Sequence, residues 1–399
     1  MNISSEGLLR IAASRCGQSL RSIKAKVEDE SQVAIHSICQ ACPGLRDLSL
    51  QNNSIGLDGD FMAQTVAQCC PLIEVLATQS WRVTDTSLNT LATIHTLKEL
   101  KLRNGICASA AIQAVLQSNP NITSIDLFGE YIDDALVRSI GRYCGSLKSL
   151  ELFKRGSPAL IENGLCDIFR GCPLLEVVDL CPLGGDLTAA LRTIFVHCHF
   201  LFELEFIVVD TLNEGHPPVA GPILYTHFPS LTKLKVACDE GEGITSNELQ
   251  NLFTYCSNLR EIHINHCDNA TDETIKVITQ NCRNLDAFCL VFCKNVSIAG
   301  VMEVATHCTK LTSLHLTFMP ISDEILIQLS RTCLSLTNLS LFNCGNSGGS
   351  ITETGVLAVV ERCTGLTFVT IHGNMPFIPN LDLAKLRLLY PHIKLQIGR

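Results

Sequence analysis

One phrase recurs down the chain, Leu-x-x-Leu-x-Leu. Its first position is held by Leu20, Leu45, Leu72, Leu97, Ile122, Leu147, Leu175, Leu201, Leu231, Leu259, Leu285, Leu311, Leu336 and Leu366. The thirteen intervals run from 25 to 30 residues. A register sustained this long governs the whole fold, because each repeat can bury its apolar side only against its neighbours. Counting domains by chain length therefore does not apply.

Each repeat reads in two halves. In the first, positions one, four and six (Leu147, Leu150 and Leu152 in one copy) fall on one side of a strand. The residues between them face the other side. The second half opens on an apolar-hydroxyl-acid triplet, such as Val83-Thr84-Asp85, Ala270-Thr271-Asp272 or Ile321-Ser322-Asp323. The hydroxyl is a helix N-cap, the acid suits the positive helix end, and apolar residues then follow at helical spacing. One strand and one helix per repeat is the leucine-rich-repeat arrangement. The expected fold is α/β: a right-handed leucine-rich-repeat solenoid, with parallel strands on the concave face and helices on the convex face. About fourteen repeats occupy residues 1–373. Residues 374–399 should supply a C-terminal capping helix, from Leu383 to Leu389, and an edge strand through Ile393, Leu395 and Ile397.

Cysteine follows the same period. Cys42, Cys69, Cys144, Cys172, Cys198, Cys256, Cys282, Cys308, Cys333 and Cys363 stand three residues before the first leucine position. Cys267, Cys293 and Cys344 occupy the turn after the strand, where Asn53 and Asn374 stand in other repeats. A small side chain there can bond neighbouring loop backbone, and a free cysteine otherwise packs as a small hydrophobe. No Cys-x-x-Cys pairs with another, so no metal or other cofactor is expected.

The bulk composition narrows the partners. Hydrophobic residues make up 46% and charged ones 17%, which excludes a disordered chain. A net charge of −9 opposes nucleic acid or an anionic membrane as the main partner. The amino end lacks a basic-then-apolar leader, and no apolar run is long enough to span a bilayer. The 21 cysteines are then expected as thiols in the cytoplasm or nucleus.

Cys-Pro-x-Leu-x-x-Leu/Val-x-Leu (Cys42 to Leu50, Cys172 to Leu180), the turn cysteines and the Thr-Asp-like helix starts resemble the cysteine-containing class of leucine-rich repeat. That class is typical of F-box proteins, the substrate receptors of cullin-type ubiquitin ligases. The resemblance implies a substrate-recognition component in SCF-type ubiquitin-dependent protein degradation. No F-box is found: Ile3 to Leu8 already reads as the helix half of a repeat, closed by Cys16 and Leu20. The chain is therefore expected to be either a fragment of a longer receptor, with a ligase adaptor as partner only if an F-box lies upstream, or an F-box-free scaffold or inhibitor that binds a regulatory protein. A first repeat that starts part-way through should be frayed.

The outward strand positions supply the candidate site. The strand centres carry Lys24, Ser49, Leu76, Lys101, Asp126, Glu151, Asp179, Glu205, Lys235, His263, Cys289, His315, Ser340 and Thr370. Asp126, Glu151, Asp179 and Glu205 would line up as four like charges, with Glu203 beside them and Phe128 and Phe153 on the same stripe. This is either a docking strip for a partner's basic segment or a solvated polar face. His263, Cys289 and His315 form a second column whose donors converge poorly on a metal. Phe342 lies two positions on from the last columns, and Phe292 and Phe318 stand just beyond the strands. Expanded loops after Leu152, Leu204, Val236 and Phe342 should gather on one rim, as a binding face or by drift in loop length. No nucleophile elbow, phosphate loop or zinc-hydrolase motif occurs, so no enzyme is expected.

Overall fold

In this computed structural model the described residues are 5–14, 19–26, 32–51, 57–77, 81–103, 106–155, 162–184, 188–209, 227–238, 244–344, 351–372 and 383–398. Cys16, Asn374-Met-Pro376 and the centres of all four expanded loops lie outside the described residues. The chain divides into two compact units. One comprises Met1–Leu183 with Ala189–Leu201, the other Gly184–Thr188 with Phe202–Arg399.

The strands of the first unit are β1 (Ser22–Lys26), β2 (Asp47–Gln51), β3 (Leu57–Asp58), β4 (Val75–Ala77), β5 (Trp81–Arg82), β6 (Glu99–Arg103), β7 (Ser124–Gly129), β8 (Ser149–Lys154) and β9 (Val177–Gly184). There β1, β2, β4, β6, β7, β8 and β9 pair in parallel in that order, and β3 pairs separately with β5. The second unit holds β10 (Glu203–Val209), β11 (Lys233–Cys238), β12 (Glu261–Asn265), β13 (Ala287–Val291), β14 (Ser313–Thr317), β15 (Asn338–Phe342), β16 (Phe368–His372) and β17 (Lys394–Gly398). These eight pair in parallel in chain order. A helix separates most consecutive strands, which makes the fold an α/β leucine-rich-repeat solenoid.

Burial follows the two-residue strand period. In β12, Ile262 and Ile264 are buried while Glu261, His263 and Asn265 face outward; Leu147, Leu150 and Leu152 are buried likewise. Each such side chain contributes about 1.5–3 kcal/mol on leaving water. Helix residues at i and i+3, such as Ile275 and Ile278 of the helix Asp272–Asn281, close the same core from the other side.

The caps do more than start helices. Thr84 and Thr245 form capping boxes with Ser87 and Glu248. The acid after the cap reaches into the next repeat: Asp272 accepts from the Ser297 amide at 2.8 Å and its hydroxyl at 2.6 Å. Asp323 does the same for Thr352, and Asp85 accepts from the Ala108 amide. A Cβ on Gly300 or Gly355 would overlap the carboxylate of Asp272 or Asp323. Glycine at the third helical position thus leaves room for the staple.

The buried cysteines also link repeats. Several follow a helix C-terminus, and their thiols reach the carbonyl of the equivalent cysteine one repeat before: Cys172 to Cys144 at 3.3 Å, Cys282 to Cys256 at 3.7 Å, Cys333 to Cys308 at 3.3 Å. These carbonyls have no partner within their own helix. At the turn, Cys293 and Cys344 donate to the carbonyls of Ile264 and Leu316 in the repeat before. Burial raises the thiol of Cys144, Cys198, Cys282 and Cys308 to about 12, so these groups stay neutral.

One repeat departs from the expected register by a residue. Leu72 is 44% exposed, while Cys70 and Ile73 are fully buried in the places assigned to Cys69 and Leu72. The phrase is therefore Cys70-Pro71-Leu72-Ile73, parallel to Cys42-Pro43-Gly44-Leu45. Leu76 in consequence points inward, and it is Ala77 that stands in register with Ser49 and Lys101.

Candidate functional site

Outward residues on parallel strands in register form straight columns, so the pairing places each candidate. In the first unit Asp126, Glu151 and Asp179 are direct neighbours across β7, β8 and β9, with Lys101 next to Asp126. Glu205 belongs to the second unit, where its neighbour is Lys235.

The acids are not an unopposed row of like charges. Arg103, one alternation beyond Lys101, lays its guanidinium along Asp126: Nε donates at 3.2 and 3.1 Å and Nη2 at 2.9 Å. Its Nη2 also stands 3.6 Å from Glu151. Asp126 is only 6% exposed, so this paired geometry is what permits its charge at that depth. The Asp126 carboxylate in turn raises the pKa of Arg103. In the second unit Lys235 contacts Glu205 at 2.5 Å, and Lys233 bridges Glu203 at 2.8 Å and Glu261 at 3.5 Å. The expected like-charge cost is thus met by cations on adjacent strands. Those cations were legible in the same alternation that gave the acids, one strand or one position away.

Beside the acids of the first unit lies an aromatic step. Phe128 and Phe153 stack with centroids 4.5 Å apart and planes 18° apart, and the Arg155 guanidinium sits 5.2 Å above Phe128. Phe153 is 40% exposed. Such a pair offers an apolar face next to charge.

His263, Cys289 and His315 do stand in line across β12, β13 and β14. Each imidazole is engaged along its own strand: His263 Nε2 with Glu261 at 2.8 Å, His315 Nε2 with the Thr317 hydroxyl at 2.9 Å. Burial lowers both histidine pKa values, against the opposing pull of Glu261 on His263. Burial raises the Cys289 thiol to about 11, which leaves it protonated. Phe342 joins a ring ladder, 5.6 Å from His315 and 5.7 Å from His372.

A third ladder sits one residue beyond the strands. His266, Phe292 and Phe318 contact one another in sequence at 5.4 and 5.3 Å. With Asn343 they share a left-handed backbone, φ between 51° and 55°. Their amides donate to the carbonyl that ends the next strand, at 2.7–2.8 Å. No glycine marks these turns, and Asn343 is the residue whose type points to a left-handed backbone. No helix among the described residues is long and apolar enough to cross a membrane.

No protein-family model matches the chain. A Caenorhabditis elegans protein whose name proposes RNA binding is 32% identical over 165 residues, 40% of this chain and 20% of that protein. The Bos taurus F-box/LRR-repeat protein 4 is 27% identical over 42% of this chain and 28% of its own length. The Oryza sativa subsp. japonica Transport inhibitor response 1-like protein is 26% identical over 68% of this chain and 48% of its own. The chain thus spans less than half the length of these relatives. Among solved structures, a chain of the yeast Rad7 and Elc1 complex aligns at TM-score 0.51 and 14% identity, over 88% of this chain and 75% of that one.

Proposed function

We propose, from the premise that the chain belongs to the leucine-rich-repeat family, that its outward strand face recognises protein partners and that the whole protein presents them for ubiquitin ligation. The observation that carries recognition is the first unit's outward face. There the four carboxylates Glu99, Asp126, Glu151 and Asp179 outnumber three cations, Lys101, Arg103 and the Arg155 that lies over Phe128, beside the stacked Phe128 and Phe153. An excess of carboxylates next to an exposed ring suits a partner segment that is basic and partly apolar, with the ring as anchor. The same excess of acid opposes an RNA backbone. The ligation step rests on the F-box name of one relative and on the resemblance of the repeats. Chemistry in that reading belongs to the ligase subunits, and this chain chooses what they act on.

The test is affinity purification of the whole protein from its own cells, wild type beside Glu151→Lys/Asp179→Lys. Asp126 stays in place because Arg103 depends on it. A ligase adaptor is expected with both proteins, and a set of substrates only with wild type. Absence of any adaptor would sink the ligase role and leave the F-box-free scaffold or inhibitor. An unchanged partner set on the variant would remove the acidic strip from the binding surface.

A further inference from the structure

The second unit carries a surface of opposite character. The twelve outward positions of β13–β16 hold no Asp, Glu, Lys or Arg, whereas β10–β12 of the same unit present Glu203, Glu205, Glu261, Lys233 and Lys235. The neutral stretch is instead ringed. His315, Phe342 and His372 form one ladder across it, and His266, Phe292 and Phe318 form another along the strand ends. Phe318 is 43% exposed. At the border, Lys294 lies 5.3 Å from the Phe292 ring centroid and is matched by Asp268 at 2.9 Å. At the opposite border Lys394 lies 5.0 Å from the Phe368 ring centroid, so the cation at each border rests against a ring face.

Backbone conformation supplies a second, independent observation. Phe292 and Phe318 hold φ of 53° and 54°, a region a bulky residue rarely enters. Asparagine enters it readily, and Asn343 occupies the equivalent place one repeat on with φ 51°. The turn would accept asparagine throughout, yet two repeats carry phenylalanine at a conformational cost. What the phenylalanines add is ring surface at the rim. Strain of this kind gathers where a side chain is used.

We infer that this neutral, ringed face of β13–β16 is a second docking surface, occupied by an uncharged peptide segment bearing aromatic side chains. The inference rests on the protein-recognition reading above. Charge decides the occupant: an ionic side chain pressed onto the outward positions of β14 and β15 would lose its water and meet no Asp, Glu, Lys or Arg on those strands. An aromatic one meets ring faces and edges, while Ser340 and Thr370 offer hydroxyls to the peptide backbone. Binding here should persist in salt, unlike binding at the acidic strip.

The test is selection of displayed random dodecapeptides on the purified protein in about 0.1 M and about 1 M NaCl, with affinities then measured by fluorescence polarisation. The high-salt pool should be rich in Trp, Tyr and Phe and poor in Lys, Arg, Asp and Glu. Those peptides should bind Phe292→Asn/Phe318→Asn at least ~10-fold more weakly, while its Tm equals or exceeds that of wild type. Phe342→Ser, in ordinary strand backbone, should show the same loss. A pool without the aromatic bias, or one that binds the variants undiminished, overturns the inference. So does a wild-type dimer in sedimentation that the Asn variant dissolves, since a second copy would then be the occupant. Recovery of only basic, salt-labile peptides lost on Glu151→Lys/Asp179→Lys overturns this surface and leaves the recognition reading intact. Recovery of nothing at either salt counts against both.

Discussion

Within the second unit, β10–β12 and β13–β16 share one architecture and differ in what they show to solvent. Their inward residues are alike, aliphatics with one phenylalanine in each stretch: Leu234, Val236, Ile262 and Ile264 with Phe206 on one side, Leu290, Leu314, Leu316 and Leu341 with Phe288 on the other, all buried. Outward, the first three strands alternate acids with lysines, and the next four carry small apolar residues on β13 and rings with small polar groups on β14–β16. The inward positions are constrained by the core they share, and the outward ones are released from it. In a solenoid, function is therefore to be sought in the outward columns, and a change of column chemistry marks a change of site.

Mutations can break that comparison at three depths. Leu234→Ala under the charged stretch and Leu290→Ala under the neutral one should each cost about 2–5 kcal/mol in urea unfolding. Markedly unequal losses would mean that the two stretches do not share one kind of core. Next in size are the ion pairs. Arg103→Met in the first unit should cost about 2–3 kcal/mol, because it strands the buried Asp126 carboxylate. Lys233→Met should cost about 1 kcal/mol and be measurable chiefly at low salt. Ser313→Ala on the neutral stretch should stay within ~0.5 kcal/mol. A salt-dependent loss at Ser313 would contradict the assignment of that face as uncharged.

The smallest effect is on pH. Burial holds the folded pKa of His263 and His315 below the ordinary value of about 6.5. The unfolded chain therefore binds protons first as pH falls. Their contribution is complete above about pH 6.5 and is lost as pH drops through that value towards the folded pKa. His315→Asn should flatten the decline in Tm between about pH 6.5 and 5. A steeper decline would mean that His315 gains, and does not lose, proton affinity on folding.

Much of this was legible in the chain itself. Leucine spacing located the strands, and alternation placed Asp126, Glu151 and Asp179 in one column. The slip at Cys69 arose because two adjacent cysteines offered two registers. Only the proline after Cys70 distinguishes them, by matching Pro43 and Pro173. Arg103 was passed over because a column of strand centres does not show which long side chain leans across to a neighbour; that depends on rotamer and depth. The left-handed turns at Phe292 and Phe318 were hidden for another reason. Their residue type argues against the conformation, and only Asn343 hints at it.

The central claim is that recognition uses the strand face and not the helix face. It is tested most directly by calorimetric titration of a partner recovered by affinity purification, against two charge-matched variants. Glu151→Lys/Asp179→Lys alters the strand face, and Glu324→Lys/Glu361→Lys alters two exposed helix positions. A strand-face loss of at least ~10-fold in affinity, with the helix-face variant unchanged, is the expected result. Loss confined to the helix-face variant, with the strand-face variant binding as wild type, would contradict the account.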